Sequence, residues 1–324
     1  MRYDVIIVGA GPAGLAVSIA AHDHGLQFLL IDKGGLVHSI HRFPEFMVFF
    51  SSSDRLEIGK VPFPSPHRRP TRQEALEYYR KVADHYQLPI HLYERVISVE
   101  GQWPLLHVHT DKGSYLTQAV VLATGFYDTP NQLGVEGEQL PHVLHYYHSP
   151  YPFYRQNVVI VGAGNSAVQA ALECWQRGAK VTMVIRDSDF HKSVKYWLLP
   201  DIQNRINEGA IQAFFRSHIH RIFPDAVEIT TPQGRQRLAA HWVLALIGYR
   251  PDYSFLEKVG VKWEGPDWVP SHNPHTLESN VPGIYLAGSI LGGLRTNQLF
   301  IENTRHHGEL IIADIVRRRA SKSD

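Results

Sequence analysis

Two short apolar runs dominate the hydrophobic pattern of the chain. Val5-Ile6-Ile7-Val8 and Val158-Val159-Ile160-Val161 offer no polar position to face water, the pattern of a strand covered on both faces. Each leads into a glycine-rich turn, Gly9-Ala10-Gly11-Pro12-Ala13-Gly14 or Gly162-Ala163-Gly164-Asn165-Ser166-Ala167. A helix follows each turn, over about 12–24 in the first case. A second apolar strand closes each unit: Phe28-Leu29-Leu30-Ile31-Asp32, and Lys180-Val181-Thr182-Met183-Val184-Ile185. The pattern therefore predicts two β-α-β units.

Other elements are read from spacing and punctuation. Ala75, Leu76, Tyr79 and Val82 recur at helical spacing, predicting a helix over 71–87. Thr71 with Glu74 three residues on is the capping-box pattern at its start. Strands are expected over 90–93, 95–100, 105–110 and 114–117, with a turn at Asp111-Lys112-Gly113, before the run Ala119–Gly125. A proline-containing linker spans 126–154. Beyond the second unit come a helix over 195–208, short strands, the run His241–Gly248, the segment Pro282–Gly288 and a last helix over 296–318. No solenoid or propeller period is present, and the one duplication is the pair of β-α-β units, the second inserted into the first. The fold class is α/β with two Rossmann-like dinucleotide-binding domains.

The two turns carry the chemistry. Their first glycine permits the tight turn, the second lets a pyrophosphate approach the backbone, and the third small residue lets helix pack on strand. Free N–H groups and the dipole at the helix N-terminus then favour the phosphates. In the first unit Asp32 ends the second strand, near the ~20-residue offset of a carboxylate that takes ribose hydroxyls. In the second unit Arg186 stands at that place. A guanidinium binds a ribose 2′-phosphate that a carboxylate would repel, so this site favours NADPH over NADH; the plain alternative is a solvated strand-end arginine. Two dinucleotides in one chain imply hydride transfer between them.

Composition narrows the class. The 324 residues suffice for about two domains, and 44% apolar with 19% charged residues is ordinary for a globular protein. A net charge of +1 argues against a broad nucleic-acid-binding face. No apolar run reaches the roughly 18 residues of a membrane span, and the chain enters a strand at Tyr3-Asp4, so the cytoplasm is the expected location. There is one cysteine, Cys174, which excludes an intrachain disulfide and a C-x-x-C pair; in the helix after the second turn it reads as a small core residue. Histidine is plentiful, at 20 residues, with His142, His145 and His148 evenly spaced. Their proline-flanked setting and the lack of a nearby cysteine or acid ligand give no metal site.

In order along the chain, Gly9–Gly14, Ala123-Thr124-Gly125, Gly162–Ala167, Gly248 with Pro251, and Gly283–Gly288 make it resemble the two-dinucleotide-binding flavoproteins of the thioredoxin-reductase-like branch. Phe49-Phe50-Ser51-Ser52-Ser53, Pro70–Arg80, Ser193–Trp197 and Phe300–Gly308 make it more similar to the bacillithiol disulfide reductase family, NADPH-dependent FAD enzymes. That resemblance implies FAD on Gly9, Gly11, Pro12, Ala13, Gly14, Asp32 and Lys33, and NADPH on Gly162, Gly164, Asn165, Ser166, Ala167 and Arg186. It makes the NADPH domain, 155–245, an insertion in a discontinuous FAD domain, 1–125 and 249–324, with linkers at 126–154 and 246–248. It adds Ala123, Thr124, Gly125, Gly288 and Ser289 to the FAD site. Phe50 and Ser51 either line the flavin ring or close a buried strand end, and Thr296 and Asn297 either face the ring from a helix N-terminus or cap that helix. His306 and His307 either relay protons or pack the last helix.

Two departures bear on activity. The family pattern has cysteine at the fifth fingerprint position, where this chain has Ala13, so the thiolate needed for disulfide exchange is missing there. Ser289 stands where many relatives have aspartate. The expected function is an FAD-dependent NADPH oxidoreductase that works without a cysteine relay. Its acceptor is a small-molecule disulfide or a small redox protein, and it forms a dimer or tetramer. A ferredoxin- or flavodoxin-NADP reductase and a flavin-bound redox sensor with little turnover are the alternatives.

Overall fold

The computed structural model describes residues 2–320. The chain divides into two compact units. Of the described residues, the first takes 2–43, 47–129 and 249–320; the second takes Pro44–Phe46 and Pro130–Gly248.

In the first unit the run around Val5–Val8 forms β1 (Arg2–Val8), and Val5–Val8 are buried. The helix α1 (Pro12–Asp23) begins with proline at its first position, where a missing N–H costs nothing. β2 (Phe28–Ile31) lies parallel to β1, pairing Val5 with Phe28 and Val8 with Ile31. Two single-turn helices, α2 (His38–His41) and α3 (Ser53–Leu56), occupy the irregular stretch before α4 (Arg72–His85). The capping box forms: Thr71 N–H donates to Glu74 Oε2 at 2.8 Å and Glu74 N–H to Thr71 Oγ1 at 3.2 Å.

β3 (Ile90–His91), β4 (Val96–Gln102), β5 (Leu105–Thr110) and β6 (Ser114–Leu122) complete the N-terminal part of the sheet, ordered β3-β2-β1-β6-β5-β4. The stretches expected as two strands, 114–117 and the start of 119–125, are one strand. Its partner changes along its length: residues 114–117 pair antiparallel with β5, and 120–122 pair parallel with Ile284–Leu286. The strand starts partly exposed and ends buried, which is why its sequence turns from polar to apolar midway.

The second unit has its own five-stranded parallel sheet, in the order Gln212–Phe214, Lys180–Val184, Asn157–Val161, Trp242–Ala245, Val143–Leu144. The last of these falls in the stretch read as a linker. The helix α5 (Asn165–Gln176) follows the second glycine turn. The helix expected over 195–208 is α6 (Leu199–Asn207). It starts late because Pro200 has no N–H to give an earlier turn and is tolerated only in the first turn of a helix; the Lys195 N–H ahead of it is accepted by the Asn165 side chain at 2.8 Å. A separate three-stranded antiparallel sheet is built from His218–Ile222, Ala226–Thr231 and Gly234–Ala239.

The chain then returns to the first unit through α7 (Tyr253–Val259) and the strand Ile284–Leu286, followed by a 3-10 turn at Gly288–Gly292. The single helix expected over 296–318 does not form. Residues 296–298 lie in a turn, α8 (Ile301–Thr304) is one turn long, and α9 (His307–Ala320) starts afresh. Thr296 and Asn297 therefore do not begin a helix. The Asn303 side chain accepts the Phe300 N–H at 2.7 Å and so fixes the start at Ile301. After the break at Arg305-His306, α9 packs along α1 at Gly308, where a Cβ would lie 2.6 Å from the Ala16 carbonyl oxygen.

Candidate dinucleotide-binding sites

At the first turn each glycine has a distinct physical duty. Gly9 has φ +109°, and a Cβ there would lie 2.4 Å from the Ala123 carbonyl oxygen. At Gly14 a Cβ would lie 1.8 Å from the Gly9 carbonyl oxygen, so only glycine lets α1 leave the strand this closely. Gly11 is different, since a Cβ there would meet nothing within 4 Å. That space lies over the first turn of α1, whose N–H groups have no intrahelical partners. A pyrophosphate fits this open space, which any side chain would fill.

Asp32 is fixed beside it. Its Oδ2 accepts the Ala10 N–H and its Oδ1 the Gly34 N–H, both at 2.7 Å. Burial raises its pKa above the ordinary value, with the two N–H donors opposing. Each oxygen keeps lone pairs for ribose hydroxyls. Lys33 turns away to Asp128, with Nζ 2.8 Å from Oδ2, and Arg42 joins the same carboxylate at 3.3 Å. The sequence reading missed Asp128, for which the chain offers no local signal.

On the other side of β1, the ends of β6 and Ile284–Leu286 bring Ala13, Gly125, Gly288 and Ser289 together. Ala123 N–H donates to the Val8 carbonyl at 2.8 Å and carries the chain into Thr124 and Gly125. A Cβ on Gly125 would have Ser289 Oγ as its nearest neighbour at 3.8 Å, and a Cβ on Gly288 would lie 2.7 Å from that of Ala13. Phe50 is 59% exposed, which removes the buried strand end as its explanation. Ser51 donates its hydroxyl to Glu302 Oε1 at 2.5 Å, a partner the sequence reading also missed.

His306 is exposed, whereas His307 is committed to the backbone: the Gly288 N–H donates to its Nδ1 at 3.1 Å. Burial, followed by the neighbouring His272 and His306, pushes its pKa down to about 4. The ring is thus a neutral acceptor that holds Gly288 against Ala13. A histidine whose folded pKa is depressed loses stability for the fold as pH falls, because only the unfolded chain takes the proton. Between about pH 6.5 and 4, unfolding free energy is expected to drop by up to about 3 kcal/mol on this account. His307→Gln keeps an acceptor for Gly288 and removes the titration; chemical denaturation across this pH range should show a shallower acid limb for the variant.

The second turn repeats the first. Gly162 has φ +134°, and a Cβ there would lie 2.4 Å from the Leu246 carbonyl oxygen; at Gly164 a Cβ would meet nothing within 4 Å. Ala167 is fully buried where α5 meets the turn, and Ser166 beside it is half-buried. Asn165 uses its side chain on a neighbouring loop, donating Nδ2–H to the Ser193 carbonyl at 2.8 Å and accepting Lys195 N–H. The Arg186 side chain is 87% exposed at the end of its strand, with Asp187 Oδ1 3.7 Å from its Nε. Cys174 is fully buried, and burial, then the Glu173 charge, pushes its thiol up to about 12. It is not a thiolate at neutral pH.

Two open cradles, each on a helix N-terminus, one flanked by a carboxylate and one by a guanidinium, fit the dinucleotides FAD and NADPH. They define a flavoprotein oxidoreductase that depends on a nicotinamide cofactor. Residues 6–288 match the pyridine nucleotide-disulphide oxidoreductase family, and the chain belongs to it. It is 39% identical to the bacilliredoxin reductase Bdr of Bacillus subtilis over 98% of this chain and 99% of that one. The structures of the bacillithiol disulfide reductase Bdr from Staphylococcus aureus and Bacillus cereus each superpose with a TM-score of 0.95. The first is 38% identical, covering 98% of this chain and 99% of that one; the second is 37% identical, covering 98% and 100%. Among the described residues no helix is long and apolar enough to cross a membrane.

Proposed function

We propose that this chain passes reducing equivalents from NADPH, through FAD, to a small-molecule disulfide of the bacillithiol type without a cysteine of its own. The cofactors supply the hydride chemistry, and the protein supplies binding and alignment. Asp32 holds the ribose of FAD, Gly11 admits its pyrophosphate, and His307 keeps Gly288 in place beside Ala13. Gly164 admits the pyrophosphate of NADPH, and Arg186 takes its 2′-phosphate.

The observation that carries the reading is the placement of Ala13 and Cys174. Ala13 occupies the fingerprint position next to Gly288, and the one thiol of the chain is buried in the second unit with its pKa raised. The similarity to enzymes named for bacillithiol disulfide and bacilliredoxin supports a disulfide as the acceptor.

The test is anaerobic reduction by NADPH followed by rapid-mixing reoxidation with bacillithiol disulfide, a ferredoxin or a flavodoxin. Fast reoxidation by the disulfide is expected. Reoxidation by the carrier proteins alone would replace the disulfide reading with an NADP-reductase one, and flavin that NADPH does not bleach would end both. Arg186→Ala is expected to weaken NADPH by about 1–3 kcal/mol, the worth of a charge-assisted pair, and to spare NADH. Steady-state KM values for the two cofactors check this, and an equal loss for both would show that Arg186 does not read the phosphate.

A further inference from the structure

We propose that Glu302 is a positioning residue that fixes Ser51 as a hydrogen-bond acceptor towards the flavin ring and thereby favours the reduced cofactor. The proposal rests on FAD occupying the first site as described above.

The topology says where the ring end must lie. Asp32 stands at the end of β2, on one side of β1, and anchors the ribose. A dinucleotide crossing the Gly11 cradle continues over the strand ends on the other side, those of β6 and Ile284–Leu286. The 3-10 turn Gly288–Gly292 follows that last strand, α8 packs on the turn, and α3 packs on α8. Ser51 lies two residues before α3, and Glu302 lies on α8, so both belong to the flavin end of the site.

These two short helices are clasped twice. Ser51 Oγ donates to Glu302 Oε1 at 2.5 Å, and Arg305 donates its Nη1 hydrogens to the carbonyl oxygens of Asp54 at 2.9 Å and Glu57 at 3.1 Å. A serine hydroxyl has one proton, and an ionised carboxylate can only accept. With its proton given to Glu302, Ser51 has only lone pairs to offer anything else. N5 of oxidised flavin also offers a lone pair, whereas N5 of reduced flavin carries a hydrogen. The committed hydroxyl matches the reduced ring and mismatches the oxidised one. A serine without Glu302 would rotate its proton to suit either state.

The readout is the two-electron midpoint potential of the FAD-loaded protein, measured by dye equilibration. Ser51→Ala is expected to lose about tenfold in preference for reduced over oxidised FAD, a potential lower by about 30 mV. Ser51→Thr, which keeps the hydroxyl, should stay at the wild-type value, while Ser51→Val, its isostere, should move with the alanine variant. In a Glu302→Gln background the Ser51→Ala shift should shrink. Unchanged potentials in Ser51→Ala and Ser51→Val, with only thermal stability reduced, would make the clasp purely structural and overturn the proposal. A shift of the same size with and without Glu302 would overturn the role of Glu302. Failure of the underlying site reading looks different: the wild-type protein would retain no FAD.

Discussion

Replacing Gly11 by alanine is expected to leave the protein folded and colourless. Its φ of −79° and ψ of 178° are open to any residue, and the added methyl meets no atom within 4 Å. Stability of the FAD-free protein should therefore change by no more than about 0.5 kcal/mol, as for a surface substitution. The methyl instead fills the space through which phosphate oxygens approach the N–H groups of α1. FAD affinity should fall about a hundredfold or more, corresponding to roughly 3 kcal/mol. Gly14→Ala reverses the outcome. Its methyl would lie 1.8 Å from the Gly9 carbonyl oxygen, a backbone atom that cannot swing aside, and α1 would have to move off β1. A loss of about 3 kcal/mol or more, with little soluble protein, is expected there. Denaturant unfolding of the flavin-free proteins and FAD titration separate the two effects, because bound FAD adds its own stabilisation by mass action. A yellow, fully loaded Gly11→Ala protein would mean that the first cradle is not the FAD site.

Asp32→Asn should be nearly as damaging for a different reason. Both carboxylate oxygens accept backbone N–H groups at 2.7 Å, so an amide must present its own NH2 to one of those donors. A buried donor facing a donor costs about 1–3 kcal/mol, and the ribose loses an acceptor besides. FAD titration should show binding weaker by about a hundredfold, and retention of wild-type affinity would remove Asp32 from the ribose site. The charge leaves a second mark. Because burial raises the folded-state pKa of Asp32, its favourable contribution to folding is present below the ordinary carboxylate pKa. That contribution is lost as pH rises through the raised value. The flavin-free asparagine variant should lack this decline, which unfolding free energies measured upward from the ordinary carboxylate pKa would reveal.

Both substitutions act on features legible in the chain. Val5–Val8 followed by three spaced small residues has few physical readings, because a fully apolar strand, a positive-φ turn and a close helix start demand those residues in that order. Thr71 with Glu74 was legible because a capping box is local. What stayed hidden depends on residues far apart in sequence. Nothing near Ser51 announces Glu302, nothing near Gly288 announces the ring of His307, and Lys33 gives no hint that Asp128 will claim it. The break between α8 and α9 was hidden for the same reason. Local spacing favours a continuous helix, and contacts that anchor Arg305 and His307 elsewhere override it. The second site shows the same division: Gly162 and Gly164 could be placed from sequence, but the use of Asn165 as a loop tie could not.

The burial of Cys174 has a consequence for durability under oxidative stress. Peroxide damages cysteine by way of its thiolate, through sulfenic acid to the irreversible sulfinic and sulfonic acids. Here the sole sulfhydryl has no solvent exposure and is held in its protonated form. A reductase with a nucleophilic sulfur beside its flavin can be silenced by its own working environment, through overoxidation or a lingering mixed disulfide with product. This chain presents no such sulfur, so overoxidation and alkylation of a working thiol have no target in it while it stays folded.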